Sequence, residues 1–244
     1  MRDYIIGTGY YESSEKDKEF YEKYWFPNTI EHASPKKIVV INSGSPNRKV
    51  STENWIDLTE NPGHTDQMRA SGDTTQFGGW TLGFINAAMY AYSCKCDFFY
   101  KEQDCLAFGD WAEKIRQESI EKDRPIMVGR LIDYPHDQGD YELCLTYIRY
   151  EFILSFLIEL FAINRSDKDC FCETKFKMIG DKTNTIGRVS FGYGGNRPFN
   201  ADDPIFYIQK PRWWPLEKKD NSVGHSGVPQ EEIDALIKAG LLNE

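Results

Sequence analysis

Four short runs rich in β-branched and aromatic residues, Asp3–Tyr10, Lys37–Ile41, Asn54–Leu58 and Asp97–Tyr100, are separated by stretches too long for hairpins. Two of the intervening stretches have helical composition: 14–25, opened by a Ser cap, and 80–93, a run of small and aromatic residues. Parallel strands need long crossovers, whereas antiparallel neighbours are joined by tight turns, so this alternation predicts a largely parallel sheet. The fold class expected is α/β, with a Rossmann-like central sheet flanked by helices.

The second half continues the pattern less regularly. The sequence predicts a charged amphipathic helix over Asp110–Glu121, a strand over Pro125–Ile132, and one long helix over Tyr141–Ile163, too apolar to be fully exposed. Beyond Lys182, Gly192, Gly194, Gly195, Pro198, Pro204, Pro211 and Pro215 are spaced through aromatic residues, which reads as a loop-rich C-terminal cover. Residues 229–242 read as a short terminal helix, with Pro229 suited to its first turn and Gly240 to its end. The division expected is a ligand-binding half over 1–110 and a second half with the cover over 111–244, within one domain.

With 40% hydrophobic and 27% charged residues, the 244-residue chain has the make-up of an ordinary globular domain. A formal net charge of -9 argues against a protein that tracks nucleic-acid phosphates, which needs a basic face. Anionic small ligands would need local help from a cation or backbone amides. The first residues lack a secretory leader, and the most apolar run, Phe152–Ile163, is interrupted by Glu159 and shorter than the ~20 residues a span requires. A cytoplasmic protein without a membrane span is expected. The six cysteines include two Cys-x-Cys pairs, but no histidine is near, and they read as reduced thiols.

Ligands of open α/β sheets gather outside the carboxyl ends of the strands. The fourth run ends there in Glu102-Gln103-Asp104, two carboxylates one residue apart, suited to holding a hard cation over a phosphate. The first run ends in Gly7-Thr8-Gly9-Tyr10, the second in Asn42-Ser43-Gly44-Ser45, and the third precedes Glu60-Asn61-Pro62-Gly63-His64. Each of these also reads singly as a strand exit, cap or turn.

Taken in order, these segments, with Asn86 in the helix between the third and fourth runs, resemble the donor half of A-type-fold glycosyltransferases, especially the family 2-like group. The resemblance covers residues 3–110. There the second strand typically ends in Asp-Gly-Ser, the third in Asn-x-Gly and the fourth in Asp-x-Asp. This chain departs from the pattern with Asn42 and Glu102.

The resemblance implies transfer of a sugar from a nucleoside-diphosphate sugar, UDP by default, to a hydroxyl of a glycan or small acceptor, with inversion and a divalent metal, Mn²⁺ or Mg²⁺. It assigns Asp104 and Glu102 to the metal, with His225 as a third ligand and His64 as another histidine near the donor. Thr8, Gly9, Tyr10, Asn42, Ser43, Glu60, Asn61 and Asn86 line the nucleotide, Tyr10 lying along the base, and Arg197 meets phosphate. The base that takes the acceptor proton is Glu173 by order of motifs, with Asp140 as its rival. Trp80, Trp213 and Trp214 are candidates for packing on sugar faces, whereas Trp111 reads as core. Nucleotidyl transfer on the same fold, or a catalytically silent sugar-binding module, are the competing readings.

Overall fold

The computed structural model describes residues 2–12, 14–45, 54–59, 63, 68, 70–72, 75–129, 141–191 and 204–209. Each of the four early runs is a strand: β1 (Tyr4–Tyr10), β2 (Lys37–Asn42), β3 (Asn54–Asp57) and β4 (Asp97–Lys101). After β1 come α1 (Glu15–Phe20), a π-helical turn over Tyr21–Trp25 and α2 (Phe26–His32). Ser14 opens α1 by accepting from the Asp17 N–H. The helical path runs on past Trp25, where the sequence suggests an end, and Pro27 is accommodated directly after the π-helical turn, where the regular hydrogen-bond ladder is already interrupted.

The remaining elements are α3 (Gly79–Ser93), β5 (Cys105–Phe108), α4 (Trp111–Glu121), β6 (Ile126–Gly129), β7 (Glu142–Ile148), α5 (Tyr150–Ala162), α6 (Cys172–Thr183), β8 (Ile186–Arg188) and β9 (Phe206–Gln209). Seven strands form one sheet in the order β3-β2-β1-β4-β7-β6-β8, and β5 pairs with β9 in a second, two-stranded sheet. All pairings in the large sheet are parallel except those of β7, which runs antiparallel to β4 and β6. The α/β, Rossmann-like, mostly parallel sheet flanked by helices is thus observed. Strands from beyond residue 110 extend the same sheet.

One expectation is overturned. Residues 141–163 are not a single helix but strand β7, a break at Arg149, and helix α5. From Leu143 to Ile148 every residue is buried. A strand covered on both faces has no polar alternation, so its pattern matches a buried helix. The break is set from elsewhere in the chain: Asp97 accepts from the Tyr150 N–H (3.0 Å) and the Tyr147 hydroxyl (2.9 Å), and Arg149 donates to the Ser119 hydroxyl and carbonyl (2.9 and 2.7 Å). Two further strands, β8 and β9, lie in the region read as loops. The terminal helix predicted over 229–242 lies outside the described residues.

Both faces of the sheet are covered. Ile6, Ile38, Val40 and Phe99 face a core shared with the π-helical turn and α4, and Ile5, Val39, Ile41 and Phe98 face one shared with α3, α5 and α6. Trp111 is fully buried in the first core. Helix α3 lies unusually close to β1 because β1 carries glycines. A Cβ on Gly7 would meet the Ala87 methyl and stand 2.9 Å from the Phe98 ring, and one on Gly9 would stand 2.7 Å from the Tyr100 hydroxyl. Among the described residues no helix is long and apolar enough to cross a membrane.

Gly7→Ala should overpack this contact and lower unfolding free energy by about 1–3 kcal/mol. Denaturant titration measures the loss, and Ala87→Gly in the same chain should recover part of it.

Candidate functional site

Strand order places the site. From β1 the chain moves outward to β2 and β3, then returns through α3 to β4 on the other side of β1. The connections diverge between β1 and β4, and a crevice opens there at the carboxyl ends of the strands. The antiparallel β7 contributes its beginning, Glu142, to this same edge, and α3 and α6 both point their amino-terminal turns towards it because each precedes a parallel strand.

The turn carrying the two acids is held on several sides. The Glu102 N–H donates to the Cys144 carbonyl (2.9 Å), and the Cys105 N–H donates to the Glu102 carbonyl (3.0 Å). Trp25 Nε1 also donates to that carbonyl (2.6 Å). Asn28 Oδ1 accepts from Lys101 Nζ (2.9 Å) and the Ala107 N–H (3.0 Å), tying α2 to both strands that flank the turn. Gln103 accepts from the Tyr11 N–H (2.8 Å), linking the turn to the segment after β1. Trp80, at the start of α3, donates Nε1–H to the Glu102 carboxyl, while its ring stacks on Phe84 at 5.4 Å and meets Tyr100 edge-on at 5.1 Å.

Four half-buried carboxyls influence one another here. Burial raises the Glu102 carboxyl well above the ordinary glutamate range, and the charges of Asp104 and Glu142 raise it further against the opposing Trp80 hydrogen bond. Burial likewise raises Glu142, opposed by the Cys144 N–H, with Glu173 and Asp104 adding to the rise. Burial and the adjacent Glu173 carboxylate hold the Cys172 thiol protonated. Such a site favours protons or a cation. Its donors are all oxygens, the set that suits Mg²⁺ or Mn²⁺ with substrate phosphates completing the shell. Among the described residues no three acids, cysteines or histidines are arranged to hold a metal by themselves.

Glu142 was missed by sequence reasoning, since residue 142 reads there as part of a helix. Glu173 sits in the first turn of α6. Tyr10, Gly9, Thr8 and Asn86 lie differently from expectation. Tyr10 is buried, its ring packed edge-on against Tyr21 (5.0 Å) and Trp55 (5.3 Å), with its hydroxyl donating to Glu12 (3.2 Å). That ring is committed to the core and is not placed to lie along a base.

The space beside Gly9 is likewise taken by Tyr100 and α3, and the Gly9 N–H donates to the Tyr100 hydroxyl (3.0 Å). Thr8 is buried and donates to the Gly9 carbonyl (3.1 Å). Asn86 donates to the Leu82 carbonyl of its own helix (2.8 Å).

Asn42 and Ser43 do sit at the edge. The Ser43 N–H donates to the Tyr10 carbonyl (2.9 Å). Asn42 donates Nδ2–H to Asp57 (3.0 Å) and accepts from the Ser45 N–H (3.1 Å), while Ser45 Oγ accepts from the Glu12 N–H (2.9 Å). An aspartate at 42 would set two carboxylates side by side; asparagine there matches the acid that β3 supplies. Glu60, Asn61, His64, Asp140, Arg197, Trp213, Trp214 and His225 lie outside the described residues.

No protein-family model and no curated protein sequence matches the chain. Among solved structures it is similar to the crystal structure of a glycosyltransferase involved in the glycosylation of the major capsid of PBCV-1, at 11% identity and a TM-score of 0.42, over 76% of this chain and 80% of that one.

Beneath the turn, burial depresses the Lys101 amine to about 7 from 10.5. The native state therefore binds this proton less tightly than the unfolded chain, and the group's contribution to stability should rise between about pH 7 and 10.5 and be flat below. Lys101→Met should remove that rise, read as the difference between the two proteins' unfolding free energies across the range. Asn28 keeps the Ala107 N–H as a donor and Thr29 keeps the Trp25 carbonyl as an acceptor, so the variant should fold.

Proposed function

We propose that the chain is a metal-assisted glycosyltransferase, moving a sugar from a nucleoside-diphosphate sugar, UDP favoured, to a hydroxyl of a glycan or similar acceptor with inversion. One observation carries the reading: the ends of β1, β2 and β4, the Glu102–Asp104 turn and Glu173 meet at the sheet edge where the crossovers diverge. The order of motifs along the chain supports it from the other direction.

A diphosphate entering an acid-lined crevice is repelled unless a cation accompanies it. Asp104 and Glu102 are the residues that would hold a divalent metal, and the metal when bound neutralises charge on the departing diphosphate. Asn42 and Ser43 supply polar groups near the base and ribose.

In the transfer, the acceptor oxygen forms a bond to the anomeric carbon as the bond from that carbon to the diphosphate oxygen breaks. The bonding pair leaves with the diphosphate, and the acceptor proton passes to Glu173. Glu173 stands in the first turn of α6, whose amino terminus points at the crevice. Asp140 as an alternative base, Arg197 against phosphate and His225 as a further metal ligand belong to the same reading.

Incubation with UDP- and GDP-sugars, with Mn²⁺ or with EDTA, tests the proposal. Metal-dependent release of nucleoside diphosphate supports it, pyrophosphate exchange would favour nucleotidyl transfer, and neither reaction would favour a silent module. Glu173→Gln should lower turnover by about 10²–10⁴-fold while leaving nucleotide binding in place. Asp104→Asn should abolish the metal-dependent release. Calorimetry that detects no uptake of UDP or GDP with Mn²⁺ present would overturn the assignment.

A further inference from the structure

Two indole N–H groups reach one residue from opposite layers of the protein. Trp25 ends the π-helical turn beneath one face of the sheet and donates to the backbone carbonyl of Glu102 at 2.6 Å. Trp80, in the first turn of α3 over the other face, donates to the carboxyl of the same residue. Backbone and side chain of Glu102 are thus gripped separately.

Both tryptophans stand on rigid supports. Trp25 stacks on Tyr21 at 5.1 Å and lies under the Lys101 amine at 4.8 Å. The first turn of α3 is anchored by Asp167, which accepts from the Gly78 N–H (2.6 Å) and pairs with the fully buried Lys175 (2.6 Å). Nor do indoles in this protein all find acceptors: Trp111, as buried as Trp25, has no hydrogen-bond partner for its Nε1 among the described residues.

We infer that Trp25 and Trp80 are positioning residues that together set the backbone and carboxyl of Glu102, and through them the direction in which the Glu102–Asp104 turn presents its acids. The inference rests on the metal-assisted reading proposed above. Groups that orient a metal ligand are worth as much as many ligands, because a carboxylate free to swing must be ordered at the moment of binding.

The test uses Trp25→Phe and Trp80→Phe, which keep an aromatic ring and remove the N–H with part of the indole, and Trp111→Phe is the control for that loss of volume. Mn²⁺ affinity is measured by electron paramagnetic resonance of the free ion with UDP present, alongside thermal unfolding. Each positioning variant should weaken Mn²⁺ binding by about tenfold or more, against a change within about twofold for the control, with thermal transitions retained. Either tryptophan alone decides, so a variant that fails to fold leaves the other to answer. Mn²⁺ bound equally by wild type and both variants overturns this inference alone; no binding by wild type overturns it together with the proposed function.

Discussion

Helix α3 approaches the central strands more closely than two ordinary side-chain layers permit, and much of the molecule is arranged around that approach. Gly7 and Gly9 remove the Cβ atoms that would hold it off, and Gly83 on the helix does the same in return, with Gly9 Cα only 3.3 Å from where its own Cβ would lie. The close approach brings Phe84 against Phe98, Tyr100, Phe156 and Phe176, at centroid distances between 5.3 and 5.9 Å. Edge-on aromatic pairs of this kind contribute about 0.5–1.5 kcal/mol each beyond the area they bury. It also carries Trp80 to the end of β4, where its indole meets Glu102. Packing and candidate chemistry therefore share one contact.

The charge distribution around the crevice has a consistent logic. Acids gather at the carboxyl edge, where a cation or protons must offset them, while the neighbouring cations are turned inward. Lys101 is buried beneath the turn on Asn28 and Thr29, and Lys175 is buried against Asp167. Removing one partner of a buried pair such as Lys175–Asp167 typically costs about 3–5 kcal/mol, because the other is left charged and unpaired. That pair joins α6, which bears Glu173, to the start of α3, which bears Trp80. Through the Gly78 N–H bound by Asp167, the amino-terminal turns of the two helices are thereby held together.

Some features were misread because the deciding partner lies far away in sequence. Tyr10 looks like a group at an open strand end, yet Tyr21 and Trp55 take its ring into the core. The glycines of β1 read as part of a nucleotide site or as a plain strand exit, and nothing local shows that they admit a helix; Ala87 and Tyr100 do. Glu142 joins the acids because β7 runs antiparallel beside β4, which turns the beginning of that strand towards them. The break between β7 and α5 depends on Asp97, some fifty positions earlier.

Local chemistry by itself determined the alternation of strands and helices through β4, the parallel character of the sheet, and the acidic turn at the end of β4. Those features follow from β-branched runs, caps and spacing that act over a few residues. Tertiary structure alone decided which face each side chain occupies, where the antiparallel strand enters, and which acids share one crevice. A strand buried on both sides has no periodic signature, and the field around a carboxyl is a sum over neighbours that the linear order does not reveal.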